Sequence, residues 1–117
     1  MQTISIWHNP RCTKSREGVK IVEDSEYESN VIKYLDKEIS VVEMKNILQS
    51  LGMTARELMR TTEAVYKELK LKEEMDEDKL IEALVSNPKL IQRPIIIKGD
   101  KAIIGRPASS ILEFLNT

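Results

Sequence analysis

The only cysteine and the only histidine of the chain, Cys12 and His8, lie four positions apart in the segment HNPRCTKSR. A thiol that loses its proton is a nucleophile and can carry redox chemistry through a mixed disulfide. Arg11, Lys14 and Arg16 place positive charge around Cys12 in the sequence, and positive charge favours the thiolate. A lone cysteine cannot form an internal disulfide, so a redox cycle through Cys12 needs a thiol from another molecule.

Less specific interpretations compete with a reactive role for these two side chains. A free cysteine is often a small buried apolar residue. His8, taken alone, is more typical of an ordinary loop histidine than of a catalytic group. One cysteine and one histidine do not supply the four ligands of a structural zinc site, and we therefore expect no metal.

The segment around Cys12 is predicted to connect a strand to a helix. Residues 3–7 alternate between polar and apolar and are rich in β-branched and aromatic side chains, which is typical of a strand. Apolar residues at helical spacing predict a helix from near Cys12 to about Ser25. Pro10 suits such a start because it donates no N–H and its φ is already helical. In the first helical turn the thiol would face free backbone N–H groups and the positive end of the helix dipole.

The rest of the chain predicts an α/β fold in a single domain. A second strand lies within residues 28–35, and residues 40–88, approximately, form a helical block. The period then changes: two β-branched runs, 94–98 and 101–105, flank a turn, and Pro107 opens a final helix. The element order is β-α-β, then the inserted helices, then β-β-α, with a mixed four-stranded sheet in one domain, 1–117.

Capping signals mark the helix boundaries inside the block. Ser40 with Glu43 and Thr54 with Glu57 are capping-box patterns, which predict two helix starts. Gly52 between them predicts the end of the first of these helices.

Composition limits the function classes. The chain has 117 residues, 41% of them hydrophobic and 32% charged, which is typical of a globular protein. The net charge of −1 gives no electrostatic footprint for nucleic acid. No apolar run reaches membrane-spanning length and no signal peptide opens the chain, so we expect no membrane partner. One unpaired cysteine fits a reducing compartment, which predicts a cytoplasmic protein.

Three arginines are predicted at the ends of elements. Arg60 ends a short helix, Arg93 precedes Pro94 at a strand start, and Arg106 precedes Pro107 after a strand. Side chains at element ends can converge on one edge of a sheet. Three guanidinium groups near a helix N-terminus would bind a tetrahedral oxyanion through their forked donors. The alternative is that each is a surface arginine with incidental ion pairs.

Taken together, these segments resemble the glutaredoxin-coupled arsenate reductase family. The resemblance rests on the HNPxCxxSR pattern, the Arg60 region, Gln92-Arg93-Pro94 and Gly105-Arg106-Pro107, and it covers essentially the whole chain. Because no C-terminal extension of the plasmid type follows, the chain is similar to the short, chromosomal members. The resemblance implies a thioredoxin-like fold with a helical insertion, and it implies that Pro94 is the cis proline of that fold.

The resemblance also implies a reaction. Cys12 would attack the arsenic of arsenate, with His8 and Ser15 supporting the thiolate by charge and hydrogen bonding. The oxyanion-binding positions of the family are occupied by Arg60, Arg93 and Arg106. Glutathione would be the co-substrate and glutaredoxin the protein partner, with no bound cofactor, and we expect a monomer.

Two other functions stay open on the sequence. Related thioredoxin-like proteins are redox regulators that bind RNA polymerase, although their switch commonly uses a second cysteine where this chain has Ser15. A glutathione-dependent thiol reductase acting on mixed disulfides is the other candidate. Three convergent arginines favour an inorganic oxyanion over that substrate.

Overall fold

A computed structural model describes residues 3–116, which form two compact units. The first unit contains residues 3–36 and 93–116, and the second contains residues 37–92. Helices and strands follow in this order: β1 (Thr3–Trp7), α1 (Thr13–Glu23), β2 (Glu28–Ile32), α2 (Val41–Leu51), α3 (Ala55–Leu58), α4 (Ala64–Glu68), α5 (Glu77–Ser86), β3 (Ile95–Lys98), β4 (Lys101–Ile104) and α6 (Ala108–Leu115). The single domain with an insertion at about 40–88 stays a prediction.

The first unit is built on a mixed four-stranded sheet with the strand order β2-β1-β3-β4. β1 runs parallel to β2 and antiparallel to β3, and β3 forms an antiparallel hairpin with β4. In this register Ile6 lies opposite Val31 on one side and Ile96 on the other. The predicted fold class, an α/β fold with a mixed four-stranded sheet, is confirmed.

The core of the first unit lies where α1 and α6 meet the sheet. Ile4 and Ile6 are two positions apart on β1 and therefore point to the same face, where both are fully buried. They belong to a cluster with Val22 of α1, Ile96 of β3 and Ile111 of α6. Each such side chain contributes on the order of 2 kcal/mol through burial. This packing fixes the start of α1 near the end of β1, which is where Cys12 lies.

In the second unit the predicted capping signals are confirmed. The Ser40 Oγ accepts the backbone N–H of Glu43 at 3.0 Å, and Thr54 and Glu57 form a reciprocal capping box. Gly52 ends α2 in the left-handed conformation, with a φ of 67°. Only glycine adopts that conformation without a steric penalty on its Cβ, which explains the stop.

The start of α1 differs from the prediction. The first helical residue is Thr13, so Cys12 is the N-cap, not a residue of the first turn. Pro10 is not at the first helical position either. The N–H of Cys12 donates to the carbonyl of Asn9 at 3.0 Å, which makes Pro10 and Arg11 the middle of a tight turn. Proline is favoured at that turn position by its fixed φ, and this competing preference moved the helix start.

The end of α3 also differs. The helix ends at Leu58, two residues before Arg60. Met59 is extended and forms an isolated antiparallel bridge with Ile91, and the N–H of Arg60 donates to the carbonyl of Leu90 at 2.7 Å. The prediction that Arg60 ends a helix was wrong because these pairings hold the chain in an extended form.

No helix within residues 3–116 is both long and apolar enough to span a bilayer.

Candidate active site

Cys12 is a partly exposed thiol at the N-terminus of α1, in an extended conformation with a φ of −97° and a ψ of 122°. Partial burial works against the thiolate, but the N–H of Ser15, the side chain of Arg93 and the N–H of Lys14 together hold the Cys12 pKa below the ordinary thiol value. The sulfur forms no full capping hydrogen bond with α1. Its stabilisation therefore comes from several donors, the first N–H groups of α1 and the side chain of Arg93, and not from one short bond.

A buried hydrogen-bonded group supports the loop ahead of Cys12. Ser15 is fully buried, its Oγ accepts the N–H of Asn9 at 2.9 Å, and it lies 2.8 Å from Nδ1 of His8. Burial, followed by the positive charges of Lys33 and Arg16, lowers the pKa of His8 below 6.5. The folded environment therefore favours the neutral imidazole over the charged form. The contact with Ser15 agrees with support by hydrogen bonding, and the role of His8 and Ser15 in supporting the thiolate stays a prediction.

Arg93 and Arg106 lie beside Cys12. The Nη2 of Arg106 donates to the Cys12 sulfur at 3.4 Å, and its Nε–H donates to the backbone carbonyl of Arg93 at 2.7 Å. The Nε–H of Arg93 is buried and has no hydrogen-bond partner within residues 3–116. A buried donor without a partner is costly unless a ligand accepts from it. The structure thus brings together two of the three predicted arginines around the predicted nucleophile.

Two cis peptide bonds hold these arginines. The Arg93–Pro94 bond is cis, as the resemblance implies, and the Arg106–Pro107 bond is also cis, which no feature of the sequence indicates. The N–H of Gly105 donates to the carbonyl of Pro94 at 2.8 Å. Together with the Arg106–Arg93 bond, this contact ties the two Arg-Pro segments side by side.

Arg60 belongs to the second unit, where its Nη1 lies 2.8 Å from Oε1 of Glu63. About a quarter of each side chain is exposed, 25% for Arg60 and 28% for Glu63. The pair is thus only partly exposed, and Glu63 balances the charge of Arg60 within the second unit. The role of Arg60 as a third oxyanion-binding residue stays a prediction.

The other basic residues near Cys12 do more than add charge. Arg16 donates to the carbonyl of Pro10 at 2.9 Å and to Oγ1 of Thr13 at 3.2 Å, which ties the loop to the first turn of α1. Lys14 makes a long, exposed contact of 3.9 Å with Glu17. On the sequence Arg16 is predicted only to add charge, and its hydrogen bonds give it a structural role as well.

Asn9 is a second residue that sequence reasoning missed. It is buried, its Oδ1 accepts the N–H of Arg11 at 3.0 Å, and its carbonyl accepts the N–H of Cys12. The available signal was the Asn-Pro pair, which is typical of turn initiation.

The donor set around Cys12 suits an anion and not a metal ion. Guanidinium and backbone N–H groups donate hydrogen bonds and carry positive charge or partial positive charge. Within residues 3–116, no three side chains of His, Cys, Asp or Glu come together as potential metal ligands.

The site residues of the first unit lie within a segment that matches a known family. Residues 7–114 match the model of the ArsC family. The chain belongs to the ArsC family. This segment contains Cys12, the buried Ser15 and both Arg-Pro pairs.

Several ArsC relatives match over nearly their whole length. The arsenate reductase of Neisseria meningitidis serogroup A is 41% identical over 113 residues, covering 95% of this chain and 97% of that protein. The uncharacterized protein YfgD of Escherichia coli K12 is 44% identical over 114 residues, 96% of each chain. The structure of an arsenate reductase from Vibrio cholerae superposes with a TM-score of 0.90 at 41% identity, covering 96% of this chain and 97% of that one. The thioredoxin-like ArsC fold is thereby confirmed.

Proposed function

We propose that this ArsC protein reduces arsenate to arsenite through Cys12, with glutathione and glutaredoxin as thiol donors. The observation that carries the proposal is the 3.4 Å hydrogen bond from Arg106 to the Cys12 sulfur. A guanidinium at that distance stabilises the thiolate and can also bind an oxyanion that the thiolate attacks. The relative from Neisseria meningitidis, named an arsenate reductase, supports the choice of arsenate.

In the first step the Cys12 thiolate attacks arsenic. An S–As bond forms, one As–O bond breaks, and a protonated oxygen leaves as water. The remaining arsenate oxygens accept hydrogen bonds from Arg106 and from the buried Nε–H of Arg93, which has no other partner within residues 3–116. Arg60 is proposed as a third donor, on the basis of its position in the family pattern.

Reduction then needs two electrons from outside the chain. Glutathione adds to the adduct, an S–S bond forms between its sulfur and that of Cys12, and the S–As bond breaks. The electron pair stays on arsenic, which leaves as arsenite. A thiol of glutaredoxin then attacks the mixed disulfide and returns the Cys12 thiolate. Arsenate and two thiols thus give arsenite, one disulfide and one water.

A reducing cytoplasm is the proposed location, because glutathione is abundant there and the lone cysteine needs an external thiol. No bound cofactor takes part in the proposed cycle. One chain carries every residue to which the proposal gives a role, so a monomer is sufficient.

A coupled assay tests the proposal. Purified protein is supplied with glutathione, glutaredoxin, glutathione reductase and NADPH, and NADPH oxidation is followed with and without arsenate. We expect arsenate-dependent oxidation that disappears when glutaredoxin is omitted. Cys12→Ser should abolish it without changing the circular dichroism spectrum, because a hydroxyl cannot form the sulfur adducts. Turnover of a glutathione mixed disulfide without any response to arsenate would instead support the thiol reductase.

A further inference from the structure

We propose that Asn9 is a positioning residue for the nucleophile: its side-chain oxygen sets the peptide ahead of Cys12 and thereby places the thiolate over the N-terminus of α1. The proposal rests on Cys12 being the nucleophile of the proposed reaction. Asn9 itself makes no hydrogen bond to the Cys12 sulfur among the described residues. It would therefore act through the backbone of the loop.

Asn9 bonds to the chain on both sides of Cys12. Ahead of Cys12, its Oδ1 accepts the N–H of Arg11 at 3.0 Å. Beyond Cys12, its own N–H donates to Oγ of Ser15 at 2.9 Å. Its carbonyl accepts the N–H of Cys12 itself at 3.0 Å. The three bonds close a compact turn with the nucleophile at its end.

Asn9 and its partner Ser15 are both buried. Only 8% of Asn9 is exposed, and Ser15 is not exposed at all. A buried polar group that loses its partner is destabilising, so the bond between Asn9 and Ser15 holds its place. The bond from Arg11 to Oδ1 is partly buried. Two of the three bonds use the backbone of Asn9 and would persist in any variant other than proline. The bond from Arg11 to Oδ1 is the one that depends on the side chain.

The Arg11 bond controls the orientation of Cys12. Its N–H belongs to the residue directly before Cys12, and the extended conformation at Cys12 starts from that peptide. The N–H groups of Ser15 and Lys14 lower the thiol pKa only while the sulfur stays over the end of α1. Loss of the Oδ1 acceptor would release the Arg11 peptide and move the sulfur away from those donors.

Two substitutions separate positioning from a general effect on stability. Asn9→Ala removes the acceptor. Asn9→Asp keeps an oxygen at the same place, because aspartate forms the same side-chain turn, but adds a negative charge that disfavours the thiolate. Asn30→Ala is the matched control, since Asn30 is exposed on β2 of the same unit.

The rate of Cys12 alkylation by iodoacetamide is measured against pH, together with the melting temperature. For Asn9→Ala we expect the midpoint of the alkylation rate against pH to rise by roughly 0.5–1 pH unit. In the coupled assay its kcat should fall about tenfold or more at every pH, as misplacement of a reacting group does. Asn9→Asp should also show a raised midpoint, but its kcat should return to the wild-type value above that midpoint. Asn30→Ala should match the wild type.

An Asn9→Ala variant with wild-type alkylation and kcat profiles would overturn the proposal. If that variant does not fold, Asn9→Asp decides alone: a kcat that stays low above its midpoint contradicts the positioning role. Alkylation does not depend on arsenate. If the alkylation midpoint of Asn9→Ala is shifted but the wild type does not turn over arsenate, the positioning role of Asn9 is kept and the reductase function is rejected. If the wild type turns over arsenate but the midpoint of Asn9→Ala is unshifted, only the positioning role is rejected.

Discussion

The backbone carbonyl of Arg93 accepts a hydrogen bond of 2.7 Å from the Nε–H of Arg106. This bond leaves the two Nη groups of Arg106 free to turn toward Cys12, whose sulfur accepts from Nη2. A single guanidinium thus joins the segment that carries Arg93 to the nucleophile. The forked geometry of the group makes this possible, since a guanidinium presents donors in several fixed directions.

Arg106→Lys should therefore be a poor replacement although it keeps the charge. A lysine ammonium is a point donor and cannot reach the carbonyl and the sulfur in the same geometry. We expect kcat/KM for arsenate to fall about ten- to a hundredfold, which corresponds to losing roughly 1.5–3 kcal/mol of charge-assisted bonding. The melting temperature should change little, because Arg106 is exposed.

Arg11→Lys is the matched control for this variant. Arg11 is exposed in the same loop, and its guanidinium makes no hydrogen bond or ion pair among residues 3–116. It should retain kcat/KM within about twofold, as is usual for surface changes of this size. Wild-type kcat/KM in Arg106→Lys would mean that charge alone is what matters. Equal losses in both variants would mean that the loss is not specific to Arg106, and either outcome would make the bridging role wrong.

His8 predicts a pH dependence of stability. Burial lowers its pKa below 6.5, so the folded state favours the neutral ring, whereas the unfolded chain takes up a proton at about pH 6.5. As the pH falls through this window the unfolded state binds more protons, and the free energy of unfolding decreases; below the folded pKa the loss levels off.

Urea unfolding of the wild type and of His8→Gln, from about pH 7.5 to about pH 5, measures this effect. Carboxylates titrate in both proteins, and the difference between the two therefore isolates the histidine. We expect the wild type to lose more stability on acidification than the variant. A difference that does not change with pH would mean that the His8 pKa is the same in both states.

Local sequence chemistry predicted the elements well. The strand before the active loop follows from the alternation of residues 3–7, and the helix starts at Ser40 and Thr54 follow from capping boxes. These features depend on residues close in sequence. Cys12 and the two Arg-Pro segments were likewise identified by residue type. Their contacts depend on bonds between segments about 80–95 positions apart, which periodicity cannot specify.

Arg56 illustrates the other limit of sequence reasoning. It lies outside the family pattern, and on the sequence an Arg56→Lys change is expected to be nearly silent. In the structure its guanidinium donates to the hydroxyl of Tyr66 at 3.3 Å and to the carbonyls of Leu71 and Glu74. These bonds make Arg56→Lys a poor choice as a neutral control. The sequence does not indicate them, because two of the three partners are backbone carbonyls, which no residue type reveals.

The backbone conformation of Lys70 predicts that glycine at this position will stabilise the fold. It follows Leu69, the C-cap of α4, and has a φ of 54°, the left-handed conformation that glycine adopts at helix ends without a steric cost. Lys70→Gly should therefore raise the free energy of unfolding, by roughly 1 kcal/mol. Lys67→Gly, inside α4, is the control and should lower it by a similar amount. Urea unfolding measures both, and a loss of stability in Lys70→Gly would contradict the strain argument.

The close packing around Gly105 predicts that an added side chain at this position will strain the core. A Cβ at this position would lie 2.9 Å from Cδ1 of Ile111 and 3.0 Å from Cγ of Pro94, closer than carbon atoms pack. Gly105→Ala should therefore lower the free energy of unfolding by about 1–3 kcal/mol, the usual cost of overpacking. It should also weaken arsenate binding, because a shift at residue 105 would move the adjacent Arg106, which is proposed to bind an arsenate oxygen.

Ile111→Val tests whether contact with the Ile111 Cδ1 causes the strain in Gly105→Ala, since valine lacks Cδ1. Alone it should cost about 0.5–1.5 kcal/mol, as deletion of a buried methyl group does. In the double variant the removed methyl group makes room for the added one, so the total loss should be smaller than the sum of the two single losses. Urea unfolding of the four proteins gives this coupling energy as a double-mutant cycle. Strictly additive losses would mean that Ile111 does not oppose the added Cβ, and the strain would then have to be assigned to Pro94.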